Sequence, residues 1–262
     1  MNQNVFNKAG DFITSPEISQ LFGEMIAIWM QVFWERMELG ENDSKTIVEV
    51  GPGTGKFMKN ILNSLDQFGS LINLKVVFVE VSPFLRKLQQ QTINEFCNKH
   101  KYYLQYETNE VRDSLYNATK NMEFLWYESY DEFALNVKDP NPNMHMLFLC
   151  HEFFDALPSF KFMFNKGQWH EKLIDLNEAK ETLILNSQQT PSGIEKAFKT
   201  SLSEPNSSNV NHFLKPEYRF QNMQIKEGTE FEVSPLCELI SKHLCRFNGW
   251  PSVEDEWRIA VH

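Results

Sequence analysis

Three features of the sequence predict an α/β fold with a parallel sheet. Short apolar runs alternate with helix-length segments, a glycine-rich turn directly follows the first run, and an acid closes the second. Strands that alternate with helices imply parallel pairing, and runs apolar throughout suit strands covered on both faces. The chain has 262 residues, of which 42% are hydrophobic and 13% aromatic. That composition excludes wholesale disorder. It also provides for a core that buries about 70–75% of the unfolded surface.

The first element is a long helix. Pro16 suits a first helical position, and Thr14 with Glu17 has capping-box spacing. Ile18, Leu21, Phe22, Met25, Trp29, Val32 and Phe33 then follow a helical period and are expected to face the core, with the helix ending near Gly40. Thr46 to Val50 reads as a buried strand, and GPGTGKFMKNIL as a turn entering a second helix. Leu74 to Val79 is the next strand, closed by Glu80, with Ser82-Pro83 starting a helix that runs to Lys99. Further strands are expected at Glu123 to Tyr127 and at Met144 to Cys150.

Beyond Pro158 the pattern changes. Ser159 to Phe164 and Trp169 to Leu176, joined by Asn165-Lys-Gly167, read as a hairpin. Thr182 to Leu185 is expected to add an antiparallel strand. Residues 187 to 211 read as loop with one helical turn near Glu195 to Lys199. Ser234-Pro235 opens a last helix with Leu236, Leu239, Ile240 and Leu244 on one side. The divisions are 1–45 for the first motif and helix, 46–158 for the α/β core, 159–233 for an antiparallel insertion, and 234–262 for a helix and tail.

Twenty-five basic residues against 35 acidic give a formal charge of -10, which argues against a phosphate-tracking surface and so against nucleic acid as a partner. Leu21 to Trp34, the most apolar stretch, is shorter than the ~20 residues a membrane span requires. Cys97, Cys150, Cys237 and Cys245 lack C-x-x-C or zinc-ligand spacing and read as reduced thiols; no metal site is expected. The first residues carry neither a secretory nor a transit pattern.

The turn after the first strand carries the chemistry. Gly51, Gly53 and Gly55 stand where a ligand can approach backbone that a side chain would block. A phosphate-binding P-loop fits poorly, because Gly51 to Lys56 is one residue short and Phe57 replaces the magnesium-binding hydroxyl. A dinucleotide fingerprint fails because Lys56 stands at its third glycine. Alone, the turn is also an ordinary strand-to-helix connection. What remains is a G-x-G-x-G turn after a strand that contains Glu49, with Glu80 ending the second strand.

That pairing resembles class I S-adenosylmethionine-dependent methyltransferases, whose sheet is Rossmann-like. The resemblance implies that the glycine turn faces the amino-acid part of S-adenosyl-L-methionine and that Glu80 binds its ribose hydroxyls, with Glu49 among the cofactor-binding residues. A carboxylate can accept hydrogen bonds from both hydroxyls. Two longer strings narrow the family: Gly10-Asp-Phe-Ile-Thr-Ser-Pro-Glu-Ile-Ser19, and His151-Glu-Phe-Phe-Asp-Ala-Leu-Pro158 after the fourth strand. With VEVGPGTG they resemble the MidA-type family, protein arginine methyltransferases that serve mitochondrial complex I assembly. The resemblance runs from about Gly10 to Trp250.

It implies symmetric dimethylation of an arginine in a complex I subunit within the mitochondrial matrix. It also implies that the chain is cut short at both ends, with C-terminal strands missing. Thr14, Ser15 and Glu17 would close over the cofactor. Glu152 and Asp155 would clamp the substrate guanidinium, although an E-x-x-D pair past a strand is also a common acidic helix start. His151, where the family usually has Asn, reads as a satisfied histidine, with a proton relay as the alternative. Residues 159 to 186 would form a substrate-side extension or the face of a homodimer. Rival readings are a non-catalytic assembly protein that keeps the fold, and a small-molecule methyltransferase.

Overall fold

The computed structural model describes residues 18–37, 39, 43–108, 113–118, 120–136, 144–176 and 198–247. Two compact units divide the chain, with borders between Ala156 and Leu157 and between Leu239 and Ile240.

The first unit is built on a six-stranded sheet. Its elements are α1 (Leu21–Arg36), β1 (Ser44–Val50), α2 (Lys56–Gln67), β2 (Leu74–Val79), α3 (Pro83–Lys99), β3 (Gln105–Thr108), β4 (Asp113–Asn117), β5 (Met122–Tyr127), α4 (Tyr130–Asn136) and β6 (Met144–Leu149). The strand order is β3-β4-β5-β2-β1-β6. β5, β2, β1 and β6 run parallel, with Glu49 opposite Phe78 on one side and Leu149 on the other. The apolar runs of the sequence become these four strands because both faces are covered. Ile47, Val76, Phe78 and Phe124 are fully buried, and α2 contributes Met58, Ile61, Leu62 and Leu65. Phe78 stacks on Trp126 at 5.1 Å between ring centroids.

Three features of this unit differ from the sequence expectation. Strands β3 and β4 form an antiparallel hairpin against β5; this edge pairing carries no continuous apolar run to announce it. The short helix α4 was likewise not legible. The third concerns α1, whose buried residues are Gly23, Ala27, Met30 and Trp34. Ile18, Leu21, Met25, Trp29 and Val32, expected to face the core, are instead exposed. Phe22 and Phe33 of that set pack partly against the core. The physical reason is close approach: a Cβ on Gly23 would lie 2.7 Å from Asn60 Cβ on α2, so the small residues of α1 mark its packing face. The helix ends at Arg36, with Met37 as its C-cap. Its expected opening at Thr14 to Glu17 lies outside the described residues.

The second unit holds β7 (Phe160–Asn165), β8 (Gln168–Leu176), β9 (Phe198–Leu202) and β10 (Glu230–Val233), in the order β10-β7-β8-β9 and antiparallel throughout. The expected hairpin is present, turning at Lys166 and Gly167, both at positive φ, the geometry of a two-residue hairpin turn. Phe162, Trp169, Val210, Leu214 and Val233 form its core. The helical turn expected near Glu195 to Lys199 is corrected where it is described: Phe198 and Lys199 open strand β9, paired with Leu176 and Asp175. Pairing with β8 overrides the weak local pattern there. The strand expected at Thr182 to Leu185 lies outside the described residues. Of the expected loop, the part from Phe198 holds β9 and the start of a π-helical turn, Val210–Leu214.

A four-residue helix, α5 (Pro216–Arg219), precedes β10, and α6 (Pro235–Phe247) follows it. The Ser234 hydroxyl accepts from the Cys237 N–H at 3.3 Å, capping α6 as expected. Of the stripe expected on that helix, Ile240 is buried while Leu236 and Leu239 are exposed. No helix among the described residues is long and apolar enough to cross a membrane. Cys97, Cys150 and Cys237 are free thiols.

Candidate cofactor site

β1 pairs with β2 on one side and with β6 on the other. The winding of the sheet therefore reverses between β1 and β6, and ligands of open α/β sheets bind outside the strand ends at such a point. Two of the strings singled out in the sequence emerge there. The glycine turn leaves β1, and His151 to Pro158 leaves β6.

Gly51 and Gly55 lie in the left-handed region, at φ 70° and 79°. Gly55 is the N-cap of α2. A Cβ on Gly51 would come within 2.9 Å of a Phe153 ring carbon. The string after β6 thus rests directly on the glycine turn. His151 adds a second junction, its ring 4.8 Å from that of Phe22 on α1 and 5.6 Å from that of Phe57 on α2. The expected satisfied histidine is not found at Nε2, a buried atom without a hydrogen bond among the described residues. Glu152 Oε1 lies 3.6 Å from it.

Two buried acids flank the turn. Glu49 is 3% exposed, and burial pushes its carboxyl up to about 8; its Oε2 has no hydrogen-bond partner among the described residues. Glu80 is also buried. Its Oε1 accepts from the Ser82 N–H at 2.9 Å, and its Oε2 faces the Gln89 amide Nε2 at 3.4 Å. Burial raises its pKa; the Ser82 and Gln89 hydrogen bonds and the Arg86 charge act the other way. Arg86 also donates to the Glu80 backbone carbonyl at 2.8 Å and pairs with Glu128 at 2.5 Å.

Helix α3 lashes the turn from behind. Gln89 Nε2 donates to the Gly53 carbonyl at 2.8 Å, and the Thr92 hydroxyl donates to the Thr54 carbonyl at 3.0 Å. Sequence reasoning missed both residues, as it missed Phe153 and Arg86. A signal was present: Gln89 and Thr92 share helical phase with the buried Ile93 and Phe96, and polar residues on a core-facing stripe call for buried partners.

Glu152 and Asp155 are both exposed, and Asp155 lies in a 3-10 turn spanning Phe154–Ala156. Glu152 has φ 49°, an uncommon backbone for a residue with a side chain. Thr14, Ser15 and Glu17 lie outside the described residues. The groups that are described fit a ligand carrying an amine and vicinal hydroxyls. Gly51 and Gly55 stand against Phe153 and Gln89, one buried acid has an oxygen without a partner among the described residues, and a second is held by hydrogen bonds one strand away.

Residues 25–247 match the family described as "Putative S-adenosyl-L-methionine-dependent methyltransferase". The chain belongs to that family.

Relatives of this family member include the Drosophila melanogaster protein arginine methyltransferase NDUFAF7 homolog, mitochondrial. It is 36% identical over 197 residues, covering 73% of this chain and 42% of that protein. The Bos taurus protein arginine methyltransferase NDUFAF7, mitochondrial, is 34% identical over 200 residues, with 74% and 42% covered. The chain therefore spans less than half the length of these relatives. A crystal structure from Burkholderia thailandensis, bound to S-adenosyl-homocysteine, superposes with a TM-score of 0.58 at 16% identity, covering 93% of this chain and 49% of the other. That likeness shows a shared α/β fold.

Proposed function

We propose that this chain carries the cofactor-binding part of a protein arginine methyltransferase. It takes S-adenosyl-L-methionine, acts on an arginine of a mitochondrial complex I subunit by symmetric dimethylation, and supports assembly of that complex. The observation that carries the reading is the meeting of the glycine turn and the 151–158 string at the sheet's switch point, with Glu80 held beside them. The relatives' names support the reaction class and the mitochondrial location.

Glu80 would receive the ribose hydroxyls, and Glu49 with the turn from Gly51 through Gly53 to Gly55 would face the amino-acid part. Thr14, Ser15 and Glu17 complete the proposed set from the first motif. The bound cofactor supplies an electrophilic methyl group on a sulfonium. The protein must present a nitrogen to it, yet free arginine stays protonated, with a pKa above about 12. Glu152 and Asp155 orient the guanidinium fork by charge-assisted hydrogen bonds, so that one nitrogen points along the line of transfer. Transfer would form the nitrogen–carbon bond as the sulfur–methyl bond breaks, leaving its electron pair on the sulfur of departing S-adenosylhomocysteine. A Glu152 carboxylate oxygen would accept the proton that the nitrogen gives up. Exposure of both acids suits a macromolecular substrate, and the net acidity of the chain suits a basic one.

The reading is tested by incubating the purified chain with labelled cofactor and complex I subunits. Labelled symmetric dimethylarginine in one subunit, lost in Glu152→Gln, is the expected result. Transfer to free metabolites alone would indicate a small-molecule enzyme, and cofactor binding without transfer a non-catalytic assembly protein.

A further inference from the structure

Gln89 is fully buried, and each polar atom of its amide is in a distinctive position. Nε2 donates to the Gly53 carbonyl at 2.8 Å and faces Glu80 Oε2 at 3.4 Å. Oε1 is buried with no hydrogen-bond partner among the described residues. The backbone contact is equally tight, since a Cβ on Gly55 would lie 3.3 Å from Gln89 Cα. One side chain thus touches both halves of the cofactor site, the turn after β1 and the acid after β2.

We propose that Gln89 is a positioning residue for cofactor recognition, coupling the glycine turn to the rotamer of Glu80 and thereby setting ribose selectivity. The inference rests on the reading of Glu80 as the ribose acid. A carboxylate that discriminates for two hydroxyls must keep its plane in one orientation. The Ser82 N–H fixes Oε1, and Gln89 stands against Oε2, leaving each oxygen lone pairs for an incoming hydroxyl. An orphaned buried acceptor disfavours the fold, so this amide is poorly explained by stability alone. A hydrophobic residue at this core-facing position would avoid it.

The experiment is a calorimetric titration of the purified chain with S-adenosylhomocysteine and with its 2′,3′-dideoxyribose analogue. The parent chain is expected to prefer the ribose ligand by about thirtyfold, in line with the net worth of two ordinary hydrogen bonds. Gln89→Met, similar in shape but without the amide, should reduce that preference to less than about fivefold, mainly through weaker binding of the ribose ligand. A purely structural role would weaken both ligands alike and leave the ratio unchanged, which would overturn the inference. Absence of binding by the parent would overturn the cofactor reading and this inference together. Nuclear magnetic resonance of the parent chain needs no variant. The Gln89 side-chain amide signals should shift on adding the ribose ligand and much less with the analogue; equal shifts would also overturn the coupling.

Discussion

Glu49 sits in β1 with its carboxyl buried, so its proton is held more tightly in the folded chain than in the unfolded one. A raised pKa means that Glu49 favours the fold below its ordinary value of 4.5, and that this advantage is lost as pH rises to about 8. Glu49→Gln should therefore become progressively more stable than the parent across that interval, by roughly 2–4 kcal/mol at its upper end. Urea midpoints measured through the interval check this; a pH-independent difference would contradict it. At Gly51, Ala must adopt a left-handed backbone and also meet the Phe153 ring, whereas Gly69 has φ 73° and open space around it. Gly51→Ala should cost about 1–3 kcal/mol more than Gly69→Ala in chemical denaturation, and equal costs would remove the contact with the 151–158 string. Glu80→Ala should weaken cofactor binding at least about tenfold, read by titration of a variant with unchanged circular dichroism; unchanged affinity would sink the ribose assignment. The glycine turn and the two buried acids were legible as candidates because a tight strand-to-helix turn and hydroxyl recognition call for particular residue types. Gln89 and Phe153 were not, since their roles depend on contacts across the fold that only packing creates.

Among the elements, α1 gives the clearest test of packing against pattern. It is apolar over much of its circumference, so periodicity alone offers more than one possible inner face. The small side chains of Gly23 and Ala27 decide the matter, because they allow close contact with α2. Met30→Ala should cost about 2–5 kcal/mol, while Met25→Gln, more than half exposed, should cost less than about 0.5 kcal/mol. The reverse ranking in thermal or urea unfolding would restore the face expected from periodicity. The parallel strands were readable because burial on both faces leaves continuous apolar runs, as in Leu74–Val79. β3, β4, β9 and β10 were not, being short strands in antiparallel pairings whose partners, more than their own composition, define them.

For the whole molecule, function follows from topology. Parallel strands leaving the sheet at one end place consecutive loops together, and the reversal between β1 and β6 opens the place where they meet. The sequence supplied the loops, whereas their convergence needed the strand order β5-β2-β1-β6. The antiparallel unit was readable only as its first hairpin, because β10 joins β7 from more than sixty residues away in sequence. The central claim is that this convergence forms a cofactor site. Isothermal titration of the purified chain with S-adenosylhomocysteine tests it most directly. The account predicts saturable binding with one site per chain, weakened in Glu80→Ala, and absence of binding heat at high micromolar ligand by a cooperatively folded chain would contradict it.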